Sequence, residues 1–531
     1  MTSLFFNNAG PSVPELNYMI DPLMRLNLSN IERLIAQQRY FVLHAPRQTG
    51  KTTCLLALMA HLNAQGNYRV LYANIEAAQA LREDVPQAIR TVCSVIAHHA
   101  KTYLQDTRLI TCLKDQAADN PGDALTKLLA WWTEISDKPT VLFLDEIDAL
   151  VGDTLISVLR QIRGGYAQRP AAFPISIILC GVRDVCDYRI QTSGKDIITG
   201  GSAFNIKTTS LRLGNFTQQE VEALWQQHTQ ETGQVFAEAI FPELWADTRG
   251  QPWLVNALAW ELTEQMPHLA NRQVAVTLED YRVAREKLIQ SRTTHLDQLT
   301  DKLKEPRVHR VMAAILSGVD DETDIPTDDI QYVADLGLIT AQPDTQITNR
   351  IYQEVIPREL IWSKQTRITH QQHWYLTSER RLDMLQLLQA FQQFFREHSD
   401  AWIQQFDYKE AGPQLLLQAF LQRIVNGGGR ISREYGLGRK RTDLYIEWPV
   451  DERAGFHGEI QRIVLELKLR YGSLEATLAD GLPQTADYAE RCGADEAHLL
   501  IFDRRPSVSW EDKIWHDTAH QNNHAITLWG L

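Results

Sequence analysis

The stretch "RYFVLHAPRQTGKTTCLLALMAHL", Arg39 to Leu62, commits this part of the chain to a strand–loop–helix unit. An apolar strand over Tyr40 to His44 runs into a loop, and a helix is expected to begin near Lys51. Residues Ala45, Pro46, Arg47, Gln48, Thr49, Gly50, Lys51 and Thr52 match GxxxxGKT at every position except the first, where Ala45 replaces glycine. In such a loop the backbone N–H groups, here including that of Thr53, curl around phosphates at a helix N-terminus. Lys51 is then expected to reach the β and γ oxygens, and the Thr52 hydroxyl to hold Mg2+.

A second motif completes that chemistry. "PTVLFLDEIDAL" reads as a buried strand delivering Asp145 and Glu146 at its tip, the Walker B arrangement. Asp145 is expected to bind Mg2+ through water and Glu146 to polarise the attacking water. A third apolar run, "ISIILCGVRDV", is expected beside it, bringing Gly181, Arg183 and Asp184 near the γ-phosphate. Arg183, Arg160 and Arg163 are candidates for sensing that phosphate or for serving a neighbouring subunit as a finger; each reads equally well as a surface ion pair.

Together with "TRGQPWLVNALA" (Thr248 to Ala259) and "ITNRIYQEVIPREL" (Ile347 to Leu360), these motifs give residues 1 to about 375 a resemblance to the AAA/STAND-type P-loop ATPases of prokaryotes. The resemblance implies ATP and Mg2+ as cofactors. It also implies a helical lid over the nucleotide, with Gly250-Gln251-Pro252 in it, and a segment like "NYMIDPLMR" (Asn17 to Arg25) packed against the base. Tyr18 in that segment either stacks on adenine or belongs to the core.

At 531 residues several domains are expected. Hydrophobic residues make up 44% and charged residues 22%, which tells against long disordered tracts. The N-terminal "MTSLFFNNAGPSVPELN" lacks the features of a secretory signal, and no eighteen consecutive residues are apolar. A cytoplasmic protein without membrane contact is the expectation. The cysteines, Cys54, Cys93, Cys112, Cys180, Cys186 and Cys492, form no CxxC pair and read as reduced thiols. A net charge of -13 argues against a general coat of positive field, yet a local patch can still grip phosphate. One basic run exists, "RIVNGGGRISREYGLGRKR", carrying Arg423, Arg430, Arg433, Arg439, Lys440 and Arg441. As bare charge it is as readily a solvated loop.

From about Asn215 to Ser291 the periodicity is helical, as a lid requires. "PRVHRVMAAILSG", "PTDDIQYVADLGLI" and "QITNRIYQEVIP" then read as helix, helix and short hairpin, the outline of a winged helix. Its recognition position carries Asp328, Asp329 and Asp335 without Lys or Arg, so a relay is expected there rather than a reader of DNA.

Near the C-terminus "IVLELKLR", Ile463 to Arg470, alternates strictly, with three leucines on one face and Glu466 and Lys468 on the other. Upstream, "RKRTDLYIEWP" begins a strand at Asp443. Downstream, a turn at "RYGSLEATLADGLP" leads into a helix with Gln484 and Tyr488 one turn apart. Asp443, Glu466-Leu467-Lys468 and Gln484 with Tyr488 resemble the PD-(D/E)xK nuclease superfamily, although Thr442 stands where its proline would be and Glu410 is the only nearby helix acid. The resemblance implies Mg2+ held by Asp443, Glu466 and the Leu467 carbonyl. It implies Lys468 preparing the attacking water, and Gln484 fixing this shell. DNA is the expected substrate, gripped by the basic segment Arg430 to Arg441.

The expected fold is α/β and multi-domain. A P-loop NTPase core (1–212), a helical lid (213–293) and a winged-helix-like domain (294–375) precede a restriction-endonuclease-like α/β/α domain (376–531). The function expected of it is nucleotide-controlled, Mg2+-dependent cleavage of DNA, in defence or mobile-element biology by analogy alone. The alternative is a signalling or scaffold ATPase whose C-terminal domain only binds nucleic acid or a partner. Homo-oligomerisation is compatible with either.

Overall fold

A computed structural model describes residues 4–115, 120–183, 190–191, 197–198, 209–290, 294–317, 325–340, 345–356, 375–403, 417, 420–421, 429–437, 440–451, 454–470, 472–503, 505, 508–522 and 524–531. They form two compact units, residues 1–291 with 330–344, and residues 292–329 with 345–531. Among the described residues no helix is long and apolar enough to cross a membrane. Cys54, Cys93, Cys112, Cys180 and Cys492 are free thiols, whereas Cys186 lies outside the described residues.

The first unit is built on a parallel sheet of β1 (Phe41–His44), β2 (Arg69–Asn74), β3 (Thr140–Asp145), β4 (Ser176–Gly181) and β7 (Thr209–Arg212), in the order β2-β3-β4-β1-β7. Two short strands, β5 (Ile190–Gln191) and β6 (Ile197–Ile198), pair separately. Strand alternation sorts the core. Phe41, Leu43, Val70, Tyr72, Val141, Phe143 and Ile178 pack against α1 (Leu28–Ala36) and α2 (Lys51–Gln65). Val42, Leu71, Ala73, Leu142, Leu144 and Leu179 pack on the other face, against α3 (Val85–Leu104), α5 (Ala124–Glu134) and α6 (Gly152–Gly164); α4 (Arg108–Asp115) adds Leu109 and Cys112. Because both faces are covered, the strands read as unbroken apolar runs. Strand β4 does lie beside β3, as expected from "ISIILCGVRDV".

The segment expected to form a lid holds α7 (Gln218–Thr232), α8 (Ile240–Thr248), α9 (Pro252–Glu264) and α10 (Leu278–Gln290). Thr217 and Glu220 form a reciprocal capping box on α7, while the Gln251 side chain caps α9 and Pro252 occupies its first turn. Between α8 and α9, Gly250 adopts φ +68°, and an added Cβ would stand 1.9 Å from the Phe216 carbonyl oxygen. Only glycine fits there.

Helices α11 (Thr294–Leu303) and α12 (Pro306–Ser317) are followed by α13 (Thr327–Asp335) and two short strands, β8 (Ile339–Thr340) and β9 (Gln346–Ile347). "QITNRIYQEVIP" is not wholly a hairpin. Residues 350–356 are helical, because the Asn349 side chain accepts the Tyr352 N–H at 2.9 Å and starts a helix there. Asp329 is paired with Arg310 at 2.9 Å.

The second unit holds a mixed sheet of β10 (Arg430–Leu437), β11 (Lys440–Pro449), β12 (Ile460–Arg470), β13 (Glu496–Asp503), β14 (Trp515–Gln521) and β15 (His524–Gly530), ordered β10-β11-β12-β13-β15-β14. The first three strands are antiparallel, whereas β12, β13 and β15 run parallel. Helix α14 (Met384–Ile403) sets Phe391 and Phe395 edge-on to Phe502, and its buried Gln392 donates to the Trp515 and Gly530 carbonyls. Helix α15 (Leu474–Cys492) covers the other face, where Ala486 and Ala489 meet Leu499 and Ile501. The turn expected at "RYGSLEATLADGLP" is instead largely helix. Ser473 caps α15, which runs on through Pro483. Apolar packing on the sheet outweighs the hydrogen bond that the proline cannot donate.

Candidate functional site

The P-loop lies between the end of β1 and the start of α2. Ala45 in place of the first glycine brings no strain, since it is not among the residues with positive φ; Gln48 (φ 57°) and Gly50 (φ 84°) are the residues that turn the loop. The Lys51 ammonium is folded onto the loop, donating to the Ala45 and Pro46 carbonyls at 3.0 Å each, and Thr49 closes it with a 2.8 Å bond to the Pro46 carbonyl. Arg47 is exposed, and the Thr53 hydroxyl accepts the Ser12 N–H at 3.2 Å. From below, Arg25 donates to the Thr49 carbonyl at 2.7 Å and to the Gly214 carbonyl at 2.8 Å, with its guanidinium over the Phe216 ring.

Thr52 and Asp145, 93 residues apart, meet: the hydroxyl donates to Asp145 Oδ2 at 2.8 Å. Tyr72 donates to the same oxygen at 2.8 Å, and the Glu146 N–H donates to Asp145 Oδ1 at 3.0 Å. Asp145 is fully buried. Glu146 holds a left-handed φ of 60°, and burial together with neighbouring Asp148 pushes its carboxyl up to about 7. A strained backbone carrying a carboxyl poised near neutrality suits a general base. Asp148 itself accepts the Val182 N–H at 3.1 Å, tying the acidic tip to the end of β4. The site therefore gathers three carboxylates and the N-terminus of α2 around Lys51. That donor set fits a nucleotide phosphate chain with a divalent cation.

Beside the loop, a small cleft of about 110 Å³ is lined by Asn8, Tyr18, Gln48, Phe216 and Trp253 among others. Tyr18 is 2% exposed, with its ring on Phe6 and His228 and its hydroxyl bonded to Glu231. The lid reaches the loop through Gln251, which donates to the Gln48 carbonyl at 3.4 Å, and Trp253 ties the N-terminal segment down by donating to the Asn8 carbonyl at 2.8 Å. Arg183 lies over the Tyr332 ring at 4.5 Å, Arg160 and Arg163 are exposed on α6, and Asp184 lies outside the described residues.

In the second unit, Glu466 and Lys468 share the α15 face of β12, opposite Leu499 and Ile501 in the β12–β13 register. Lys468 Nζ donates to Gln484 Oε1 at 2.7 Å and pairs with Asp480 at 2.9 Å, with Glu466 Oε1 at 3.8 Å. The Gln484 amide in turn donates to the Tyr488 hydroxyl at 3.0 Å. Gly481 permits this closeness, since a Cβ there would stand 2.8 Å from Leu499 and 3.3 Å from the Lys468 stem. Glu466 is 2% exposed. In the β11–β12 ladder Leu444 faces Leu465, so Asp443 and Glu466 take the next positions along the two antiparallel strands. The Asp443 side chain lies outside the described residues, as do Glu410, Arg423, Arg439 and the side chains of Arg433, Lys440 and Arg441. Where it is described, the basic segment is strand rather than loop: Arg430–Leu437 form the edge strand β10 and pair antiparallel with β11, with the Arg430 guanidinium 3.5 Å over the Phe456 ring. Among the described residues no group of three or more His, Cys, Asp or Glu is arranged to hold a metal.

Sequence reasoning gave no role to Tyr72, Arg25, Asp148 or Asp480. Only Asp480 left a signal, standing four residues before Gln484 and eight before Tyr488 on one helical face.

Among solved structures, the Walker-type ATPase of Pyrococcus abyssi resembles this chain with 14% identity over 66% of this chain and 99% of its own, at a TM-score of 0.44. The ORC2 protein of Aeropyrum pernix resembles it with 12% identity over 64% and 94%, at 0.39. The Holliday junction branch migration motor RuvB of Thermotoga maritima resembles it with 14% identity over 62% and 95%, at 0.33. No curated protein sequence matches. The profile of the AAA-like domain matches residues 25–356, more than half of the chain, from the arginine beneath the P-loop to the helix that Asn349 caps. With its GKT loop joined to its DE strand tip across one parallel sheet, the chain belongs to the AAA-like domain family of P-loop ATPases.

Proposed function

We propose that the nucleotide state of this ATPase controls Mg2+-dependent cleavage of DNA phosphodiesters by the second unit. Two sites take part. In the first, Lys51 leaves the Ala45 and Pro46 carbonyls for the β- and γ-phosphates, the loop N–H groups hold the remaining oxygens, and Glu146 accepts a proton from the attacking water. Thr52 and Asp145 would hold the Mg2+, whose charge stabilises the phosphoryl group in transit. Tyr18 borders the cleft beside the loop and supports it from the core.

The observation that carries the nuclease reading is the run from Glu466 through Lys468 and Gln484 to Tyr488, fixed at 3.8, 2.7 and 3.0 Å on one sheet face. Counting the described groups, two carboxylates share the single ammonium of Lys468, a net negative set that suits a divalent cation. Asp443, Glu466 and the Leu467 carbonyl would hold it, and when bound it supplies Lewis-acid activation of the phosphodiester. Lys468 orients the attacking water, Gln484 holds the ammonium in place, and the β10–β11 hairpin from Arg430 to Arg441 clamps the backbone phosphates.

The test is purified full-length protein on linear, circular, nicked and single-stranded DNA, with and without ATP and Mg2+. Wild type is expected to cut, and Lys468→Ala to abolish cutting while ATP turnover persists. A wild type that turns over ATP but cuts none of these DNAs would leave the signalling or scaffold reading in its place. Unchanged ATP affinity in Lys51→Ala would remove the nucleotide half as well.

A further inference from the structure

Asp145 is held by more than the P-loop. Its Oδ2 accepts two hydroxyls at 2.8 Å, one from Thr52 at the start of α2 and one from Tyr72 on β2. These donors differ in what they can do. Thr52 has a single proton, which it spends on Asp145, so its lone pairs remain for a cation. The Tyr72 hydroxyl sits on a rigid ring carried by the sheet itself, 2% exposed.

Tyr72 is itself fixed from behind. Its ring stacks on His99 at 6.0 Å and meets Tyr103 edge-on at 5.9 Å. His99 Nδ1 accepts the Asn74 N–H at 3.3 Å, and Asn74 stands opposite Asp145 in the β2–β3 ladder. The ring that holds the carboxylate is thus backed by a histidine bonded to its own strand, two residues on.

We infer that Tyr72 is a positioning residue for the divalent cation at the nucleotide site: its hydroxyl, beside that of Thr52, fixes the rotamer of the Asp145 carboxylate. This rests on the nucleotide reading of the same site. Partners that orient a ligating carboxylate commonly contribute tenfold or more to metal affinity.

The test is binding of a fluorescent ATP analogue to the full chain, titrated with Mg2+ and, separately, in EDTA. Tyr72→Phe keeps the ring and removes only the hydroxyl. It is expected to raise the Mg2+ concentration for half-saturation by about tenfold, with affinity in EDTA unchanged. Tyr103→Phe, which keeps the edge contact, is expected to follow wild type. Equal Mg2+ midpoints for Tyr72→Phe and wild type overturn the inference, and so does an equal loss in EDTA and in Mg2+, which marks a merely structural role. A wild type that binds the analogue without any gain from Mg2+ overturns it too. A wild type that binds no analogue at all removes the nucleotide reading on which it stands.

Discussion

Replacing Gly250 by alanine tests how the lid is joined to the nucleotide loop. Two costs add. Its φ of +68° lies in the left-handed region, which penalises an L-residue by about 1–2 kcal/mol. In addition, the new Cβ would meet the Phe216 carbonyl oxygen at 1.9 Å, so a backbone must retreat by more than 1 Å. That retreat is resisted, because the Phe216 N–H donates to the Gly250 carbonyl at 2.8 Å and clasps the two segments together. Overpacking of this kind adds about 1–3 kcal/mol, for a total of about 2–5 kcal/mol. Gly233 is the matched control, with φ +80° but nothing within 4 Å of its Cβ position, so it bears the first cost alone. In thermal denaturation of the full chain, the transition of the first unit is expected to fall roughly 3–8 °C in Gly250→Ala and clearly less in Gly233→Ala. ATP affinity is expected to fall with it, since Phe216 lies under Arg25, which holds the Thr49 carbonyl of the loop. Equal transitions in the two variants would refute the steric argument. A destabilised Gly250→Ala with intact ATP affinity would refute the link from lid to loop.

Three further outcomes are expected. The Glu146 carboxyl is raised in the fold, so its contribution to stability is present below its unfolded pKa of about 4.5 and fades as pH rises to about 7; in metal-free protein Glu146→Gln is expected to gain about 1–3 kcal/mol on wild type between those limits, read by denaturation at pH 4.5 and 8. Burial lowers the His228 imidazole, held between Tyr18 and Gln234, so stability present above about pH 6.5 is lost as pH falls; His228→Gln is expected to flatten that fall in melting temperature from pH 7.5 to 5.5. Asp480, 72% exposed, is expected to leave the melting temperature nearly unchanged as Asp480→Asn, a surface ion pair contributing at most about 1 kcal/mol. In a cleavage assay the same variant is expected to lower the KM for DNA, since it removes an exposed carboxylate that repels phosphate beside Lys468; an unchanged KM would argue against that repulsion.

By itself the sequence determined the parts whose chemistry is local. The GKT loop, the DE strand tip and the alternation around Glu466 and Lys468 each follow from a run of neighbouring residues whose periodicity fixes strand, loop or helix. The exchange of glycine for alanine at position 45 was legible as a departure, but its harmlessness rested on a φ that only the fold reveals. Other features required the chain to return on itself. Tyr72 in "RVLYAN" carries no mark of a link to Asp145, because 73 residues separate them and the sheet order alone brings them together. Pro483 signalled a turn that packing overrode, and Asn349 started a helix where apolar alternation suggested a hairpin. Arg25, Gly250 and Asp480 gained their partners the same way. Local pattern dictates which element each segment becomes, whereas contacts between distant segments depend on how those elements stack, and that is decided by the burial of the whole core.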